Sequence, residues 1–171
     1  MDYICEYSSP VGLLTISGDG ENITGLWIKG QKYFAATLDG RPIKKELPVF
    51  ESTKNWLSVY FSGKNPEFTL PLAPKGSAFR KDVWDILCSV PYGEIITYRD
   101  IARKIAAKTG RESMSAQAVG GAVGHNPISI IIPCHRVVGT DGSLTGYAGG
   151  IDIKMKLLAI EGADMSKLHF S

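Results

Sequence analysis

Residues 97–124 read TYRDIARKIAAKTGRESMSAQAVGGAVG, and this stretch decides how the second half of the chain folds. Thr97 is a typical helix N-cap, and apolar side chains recur after it at helical spacing, which predicts a helix from residue 98 to about residue 107. Ser113 or Ser115 begins a second helix, which ends at Gly124. Two helices joined by a turn indicate a helix-turn-helix, although the turn at residues 108–114 is longer than the usual one.

The second of these helices has almost no side chains. Gly120 and Gly121 lie in its interior, where each costs roughly 1 kcal/mol relative to alanine. A sequence accepts that cost where another backbone must come close. The partner is either a neighbouring helix or DNA. Eight Lys or Arg against four Asp or Glu in residues 75–111 fit a phosphate-facing surface, or simply a solvated helix face.

The first half of the chain has a different pattern. Short strands are predicted at residues 3–7, 13–17 and 23–29, followed by a helix at 46–61. Residues 70–76 (LPLAPKG) indicate a linker, because prolines and glycine exclude regular structure. We therefore expect an α/β fold: a small antiparallel sheet with a helix in residues 1–73, then a mainly helical domain with the helix-turn-helix in residues 74–171.

Composition excludes several classes of protein. The 171 residues are 44% hydrophobic with a formal net charge of +2, as in ordinary globular proteins. No apolar run approaches the roughly 18 residues of a membrane span, and no basic and apolar signal peptide begins the chain. We expect a cytoplasmic protein. Its odd number of cysteines, three, argues against a disulfide framework, and the sequence has no Cys-x-x-Cys or His-x-x-x-His spacing, so no metal is expected.

Residues 126–139 read NPISIIIPCHRVVG. The β-branched run at 128–132 predicts a buried strand that ends at Pro133, with Cys134 directly after it. A cysteine beside His135 could be a nucleophile, but on these residues alone a buried, inert cysteine is favoured.

The wider pattern resembles the methylated-DNA–protein-cysteine methyltransferases, also called O6-alkylguanine-DNA alkyltransferases. The similarity covers roughly residues 78–162 and rests on PCHRVV at 133–138, GYAGG at 146–150 and LLAIEG at 157–162. The first half fits only in the order of its elements, where the family has a small ribonuclease H-like sheet.

The resemblance implies DNA repair. The protein would flip the damaged base out of double-stranded DNA and transfer an alkyl group from O6-alkylguanine, or from O4-alkylthymine, irreversibly to Cys134. It would act once, as a monomer, with no cofactor and no membrane partner.

The resemblance also implies residue roles. The thiolate of Cys134 is the nucleophile, and His135 helps to form it. Neighbours on an extended chain point to opposite sides, so we expect a water between Cys134 and His135, and the resemblance implies the same. Glu161 would orient the imidazole, and Asn126 would brace the bend before the cysteine. The expected pocket residues are Tyr98, Tyr147, Ala148 and Val137. The expected DNA contacts are Gln117, Arg99, Ala118, Gly121, Thr140 and Arg80.

Glu161 also has support that does not depend on the family. Asp152 is predicted to cap a helix that Gly162 ends, which places Glu161 in the last turn. A carboxylate there faces the negative end of the helix dipole, which costs a few tenths to 1 kcal/mol. An imidazole or cation beside it would offset that cost. Arg136 is expected to anchor backbone rather than phosphate.

Gln117 departs from the family pattern. Most members have an arginine at this position, which fills the gap left by the flipped base. Two other classes of protein remain open: a non-enzymatic relative that only binds alkylated DNA, and a Cys–His hydrolase or peptidase. The first lacks the cysteine, so Cys134 itself argues against it.

Overall fold

The computed structural model describes residues 1–144 and 146–169 of the chain. These form two compact units, one of residues 1–75 with 127–129, and one of residues 76–126 with 130 onward. Within the described residues, no helix is long and apolar enough to cross a membrane.

The first unit is a four-stranded sheet with one helix. Its elements are β1 (Tyr3–Ser9), β2 (Gly12–Gly18), β3 (Ile23–Ile28), β4 (Ile43–Lys44) and α1 (Pro48–Phe61). The strand order is β3-β2-β1-β4; the first three strands pair antiparallel, as predicted, and β4 adds a parallel edge that is too short to predict. Helix α1 begins at Pro48, whose fixed φ suits the first helical turn. Leu14, Phe50 and Leu57 are fully buried between sheet and helix.

The expected linker takes part in this sheet. The Ile23 amide donates to the carbonyl of Pro71, and the Ala73 amide donates to the carbonyl of Ile23. Residues 71–73 therefore lie extended beside β3. Pro71 has no amide hydrogen to donate, and it pairs with the strand through its carbonyl.

The second unit is mainly helical. Its elements are α2 (Ala78–Cys88), β5 (Ile96–Thr97), α3 (Tyr98–Thr109), α4 (Ala116–Gly124), β6 (Val137–Val138) and α5 (Ile151–Ile160). Ser77, Thr97 and Ser115 cap α2, α3 and α4, each accepting from the amide three residues on. The expected helix-turn-helix is α3 and α4, joined by the long connection at residues 110–115. The short strands β5 and β6 pair parallel.

The strand predicted at residues 128–132 is wrong. Ile128 forms one isolated bridge with Leu26, and the chain then turns. Ile130 has φ +70, a left-handed conformation that is unfavourable for a β-branched residue. The Asn126 side chain closes the bend by donating to the Ile132 carbonyl at 2.8 Å. Ile128, Ile130 and Ile132 are buried, so the apolar composition of this run indicated burial and not an extended strand.

The cap predicted for α5 is also wrong. The helix follows Gly150, which has φ +96, and Asp152 lies exposed in the first turn. Glu161 is the C-cap residue of α5 and lies just beyond its last turn.

Candidate active site

Cys134 lies at the start of a single 3-10 turn, Cys134–Arg136, directly after the bend. It is 5% exposed, and burial raises the pKa of its thiol. A hydrogen bond from the Asn126 side chain and the positive charge of Lys154 act in the opposite direction. Burial, the largest of these effects, therefore favours the neutral thiol over the thiolate.

His135 follows Cys134 in the same turn and contacts Glu161. Its side chain is fully buried, and Nε2 lies 2.5 Å from Oε2 of Glu161. Burial lowers the pKa of His135, although Glu161 opposes the shift. A neutral imidazole that donates Nε2–H to the carboxylate has Nδ1 as an acceptor. Because residues 134–136 form a 3-10 turn, the expected extended geometry of Cys134 and His135 is wrong.

Glu161 is held by three donors. In addition to His135, Arg136 Nε donates to its Oε1 at 2.8 Å, and the Gly93 amide donates at 3.1 Å. Burial alone would raise the pKa of Glu161, but hydrogen bonds and charges from His135 and Arg136 outweigh it and hold the pKa at about 2. Arg136 Nη1 also donates to the Val90 carbonyl at 2.7 Å, so the expectation that Arg136 anchors backbone is confirmed.

Lys154 is the residue that the sequence reading missed. It is 1% exposed, and its Nζ donates to the Val137 carbonyl at 2.5 Å. Burial lowers its pKa to about 8, while Cys134 opposes that shift. Helical spacing could have revealed it, because Lys154 lies three, four and seven residues before Leu157, Leu158 and Glu161 and therefore shares their inward face of α5.

Two tyrosines lie close to the reactive group. Tyr98 opens α3, and burial, with a smaller effect of Cys134, raises its pKa to about 12, so its phenol stays protonated. Gly146 has φ +74, and a Cβ there would lie 3.1 Å from the Tyr98 hydroxyl oxygen. The absence of a side chain therefore lets this loop reach Tyr98. The buried Tyr147 ring lies edge-on to His135, with centroids 6.5 Å apart.

The expected DNA contacts lie mostly on the surface. Gln117, Ala118 and Gly121 form an exposed face of α4, and a Cβ at Gly121 would meet nothing within 4 Å. The opposite face is covered, since Trp84 Nε1 donates to the Ala122 carbonyl at 2.9 Å. A neighbouring helix among the described residues therefore does not explain the bare face at Gly121.

The other residues expected to contact DNA or to line the pocket differ in their exposure. Arg99 and Thr140 are exposed, Arg80 and Ala148 are half-buried, and Val137 is buried. No cluster of His, Cys, Asp or Glu in residues 1–144 and 146–169 has the make-up of a metal site.

Comparison with known proteins identifies the family. The sequence matches the DNA binding domain of 6-O-methylguanine DNA methyltransferase over residues 78–163, and the ribonuclease-like domain of the same protein over residues 3–74. The chain belongs to the 6-O-methylguanine DNA methyltransferase family. The expected family, fold class and enzyme class are thereby confirmed.

Individual relatives agree with this assignment. The methylated-DNA–protein-cysteine methyltransferase of Methanosarcina barkeri is 45% identical over 90% of this chain and 92% of its own length. The corresponding Haemophilus influenzae protein is 42% identical over 93% of this chain and 86% of its own. The crystal structure of Mycobacterium tuberculosis OGT in complex with DNA has a TM-score of 0.81 at 39% identity, covering 94% of this chain and 92% of that one.

Proposed function

We propose that this chain repairs double-stranded DNA by moving an alkyl group from O6 of guanine to the thiol of Cys134, where the group stays. The observation that carries the proposal is the placement of Cys134 at the start of a buried turn whose next two side chains both engage Glu161. A neutral imidazole held by a buried carboxylate is a suitable base for an adjacent thiol.

The first step forms the nucleophile. Cys134 passes its proton to Nδ1 of His135 through a bridging water, and Glu161 stabilises the imidazolium that results. Lys154 and the Asn126 amide stabilise the thiolate. Each of these groups is buried, so their charges act with little screening by solvent.

The second step transfers the alkyl group. The thiolate sulfur attacks the alkyl carbon, a C–S bond forms, and the bond between that carbon and O6 breaks. Guanine leaves as an anion and recovers the proton that the thiol released, so atoms and charge balance. Tyr98 is a suitable donor to the leaving base, because its raised pKa keeps the phenol protonated. A thioether has no facile reverse reaction, so each molecule acts once.

The exposed face of α4 is the proposed contact with the duplex. Ala118 and Gly121 let the DNA backbone approach, and Gln117 occupies the gap left by the flipped base. Arg99, Thr140 and Arg80 contact phosphates, and Tyr147, Ala148 and Val137 wall the pocket. The protein acts as a monomer in the cytoplasm, with the chemistry assigned to residues 74–171 and a supporting fold to residues 1–73.

Intact mass measured after exposure to duplex DNA containing O6-methylguanine tests the proposal. The expected result is a permanent gain of one methyl group per chain in the wild type and in Cys88→Ser, and no gain in Cys134→Ser. Tight binding without any gain would identify a non-enzymatic binder of damaged DNA. Repeated turnover without a mass change would identify a hydrolase.

A further inference from the structure

A second feature of this unit lies outside the reactive cluster. A groove of about 480 Å³ runs along the outer side of α3 and is closed by the long connection to α4. Arg99, Arg103 and Arg111 line it, together with Glu112 and Met114. No step of alkyl transfer uses the groove.

Two features form the groove: the spacing of arginines along α3, and the sharp reversal of the chain after that helix. Arg99 and Arg103 are four residues apart, so they lie on one stripe of α3, about 6 Å apart along its axis. Gly110 ends the helix with φ +71, and the Arg111 amide then donates back to the Ala106 carbonyl at 3.0 Å. This reversal folds residues 111–114 over the stripe and adds the third arginine to the same side.

The charges in the groove are not balanced. Three guanidinium groups face one carboxylate, that of Glu112. Within residues 1–144 and 146–169, none of these arginines forms an ion pair, whereas Lys108 on the same helix pairs with Asp82 at 2.9 Å. Arg99, Arg103 and Arg111 are all exposed. Unpaired guanidinium groups in a concave surface suit an anion with several oxygens, since their planar fork matches phosphate.

We propose that this groove binds the phosphodiester backbone of DNA, beyond the nucleotide that enters the pocket. The proposal rests on the proposed function for the identity of the ligand. Arg99 directly follows Tyr98, so the groove begins one residue from the pocket and continues away from it along α3. It supplies positive charge on the helix-turn-helix of a chain that has an uncharged Gln117 where most family members have arginine.

The salt dependence of binding to duplex DNA tests the groove. The probe is an unmodified duplex, so the measurement does not depend on alkyl transfer. The double variant Arg103→Gln/Arg111→Gln should lower the slope of log K against log salt concentration by about 0.9 for each phosphate that the protein no longer neutralises. Lys104→Gln is the matched control: it removes one charge from an exposed neighbour that does not line the groove, and the slope should remain as in the wild type. Reaction with free O6-benzylguanine should be unchanged in all variants.

Several outcomes would overturn the proposal. A decrease of slope in Lys104→Gln that equals half the decrease in the double variant would indicate a general charge effect, because one charge is removed instead of two. An unchanged slope in the double variant would exclude a phosphate contact. Inorganic phosphate that binds the groove and is not displaced by duplex would identify a small-anion site instead. If the double variant is unstable, Arg111→Gln alone can replace it in the salt titration. Arg111 lies in the connection outside both helices, so its substitution should not affect their stability. Failure of the wild type to accept a methyl group would refute the proposed function but leave the slopes to decide the groove.

Discussion

Replacing Glu161 by glutamine removes one negative charge and almost no volume from the buried cluster. The wild-type carboxylate accepts from His135, Arg136 and the Gly93 amide. A glutamine amide has one acceptor oxygen, and its NH2 group would face a donor. Arg136, whose side chain is 9% exposed, would keep its charge without a counter-ion. We expect the variant to fold but to be markedly less stable.

The size of the effect can be worked out in two ways. The pKa of Glu161 is about 2 in the folded protein, against about 4.3 in an unfolded chain. That difference corresponds to about 3 kcal/mol of folding free energy at neutral pH. Removing one partner of a buried ion pair typically costs about 3–5 kcal/mol, which agrees. Because the folded pKa is lowered, this stabilisation is complete above the unfolded value and is lost as pH falls toward 2.

Urea unfolding of wild type and Glu161→Gln at several pH values measures this effect. The difference in free energy of unfolding should be about 3 kcal/mol at pH 7 and shrink to about 1.4 kcal/mol near pH 3. Glu94→Gln is the matched control, because Glu94 is exposed in the same unit and should change stability by less than about 0.5 kcal/mol. A Glu161→Gln penalty below about 1 kcal/mol, or one that does not vary with pH, would refute the reasoning.

Four further outcomes are expected. Cys134→Ser should bind duplex DNA as the wild type does and lose transfer, because an alcohol is far less ionised; loss of transfer in Cys88→Ser instead would contradict this. Lys154→Met should raise the thiol pKa further, so the rate with free O6-benzylguanine should fall at neutral pH and recover in alkali; a uniform loss at every pH would point to misfolding. Gln117→Ala should slow transfer from duplex about tenfold if the gap-filling contact is worth about 1.4 kcal/mol, Gln117→Arg should preserve or raise it, and neither should affect the free base; equal slowing of both substrates would contradict this. Methylated protein should have a free energy of unfolding about 1–3 kcal/mol lower than free protein, because the added methyl overfills a buried site, and it should therefore melt at a lower temperature; an equal midpoint would count against this.

Local signals in the sequence predicted the helices well. Thr97 and Ser115 each combine a small polar side chain with a helical pattern that begins directly after it, and each is a cap in the structure. Capping depends on atoms within three residues, so a short stretch of sequence contains all the information. The antiparallel hairpins of the first unit are equally local, whereas the parallel pairings of β4 and of β5 with β6 join distant segments and left no local pattern.

The errors lie where distant contacts decide the conformation. The run at residues 128–132 has the composition of a strand, but the hydrogen bond from Asn126 to Ile132 and the left-handed Ile130 make it a bend. A strained, buried residue shortly before Pro133 is typical of a segment that the surrounding structure holds for a function. Lys154 was missed for a related reason: a lysine is normally placed at the surface, and its contact with the carbonyl of Val137 depends on how a distant segment packs against α5.

The buried charges give a physical reason for the single use of the protein. With the thiol protonated, the cluster holds two cations, Arg136 and Lys154, against the single anion Glu161. In the proposed reaction, ionisation of Cys134 supplies the missing negative charge, so the proposed nucleophile is also the ion that balances the site. Alkylation would replace that anion with a neutral thioether, which has no proton to lose. The excess of positive charge that favours the thiolate before reaction would therefore remain after it, and burial makes that excess costly, so we expect the alkylated protein to be less stable.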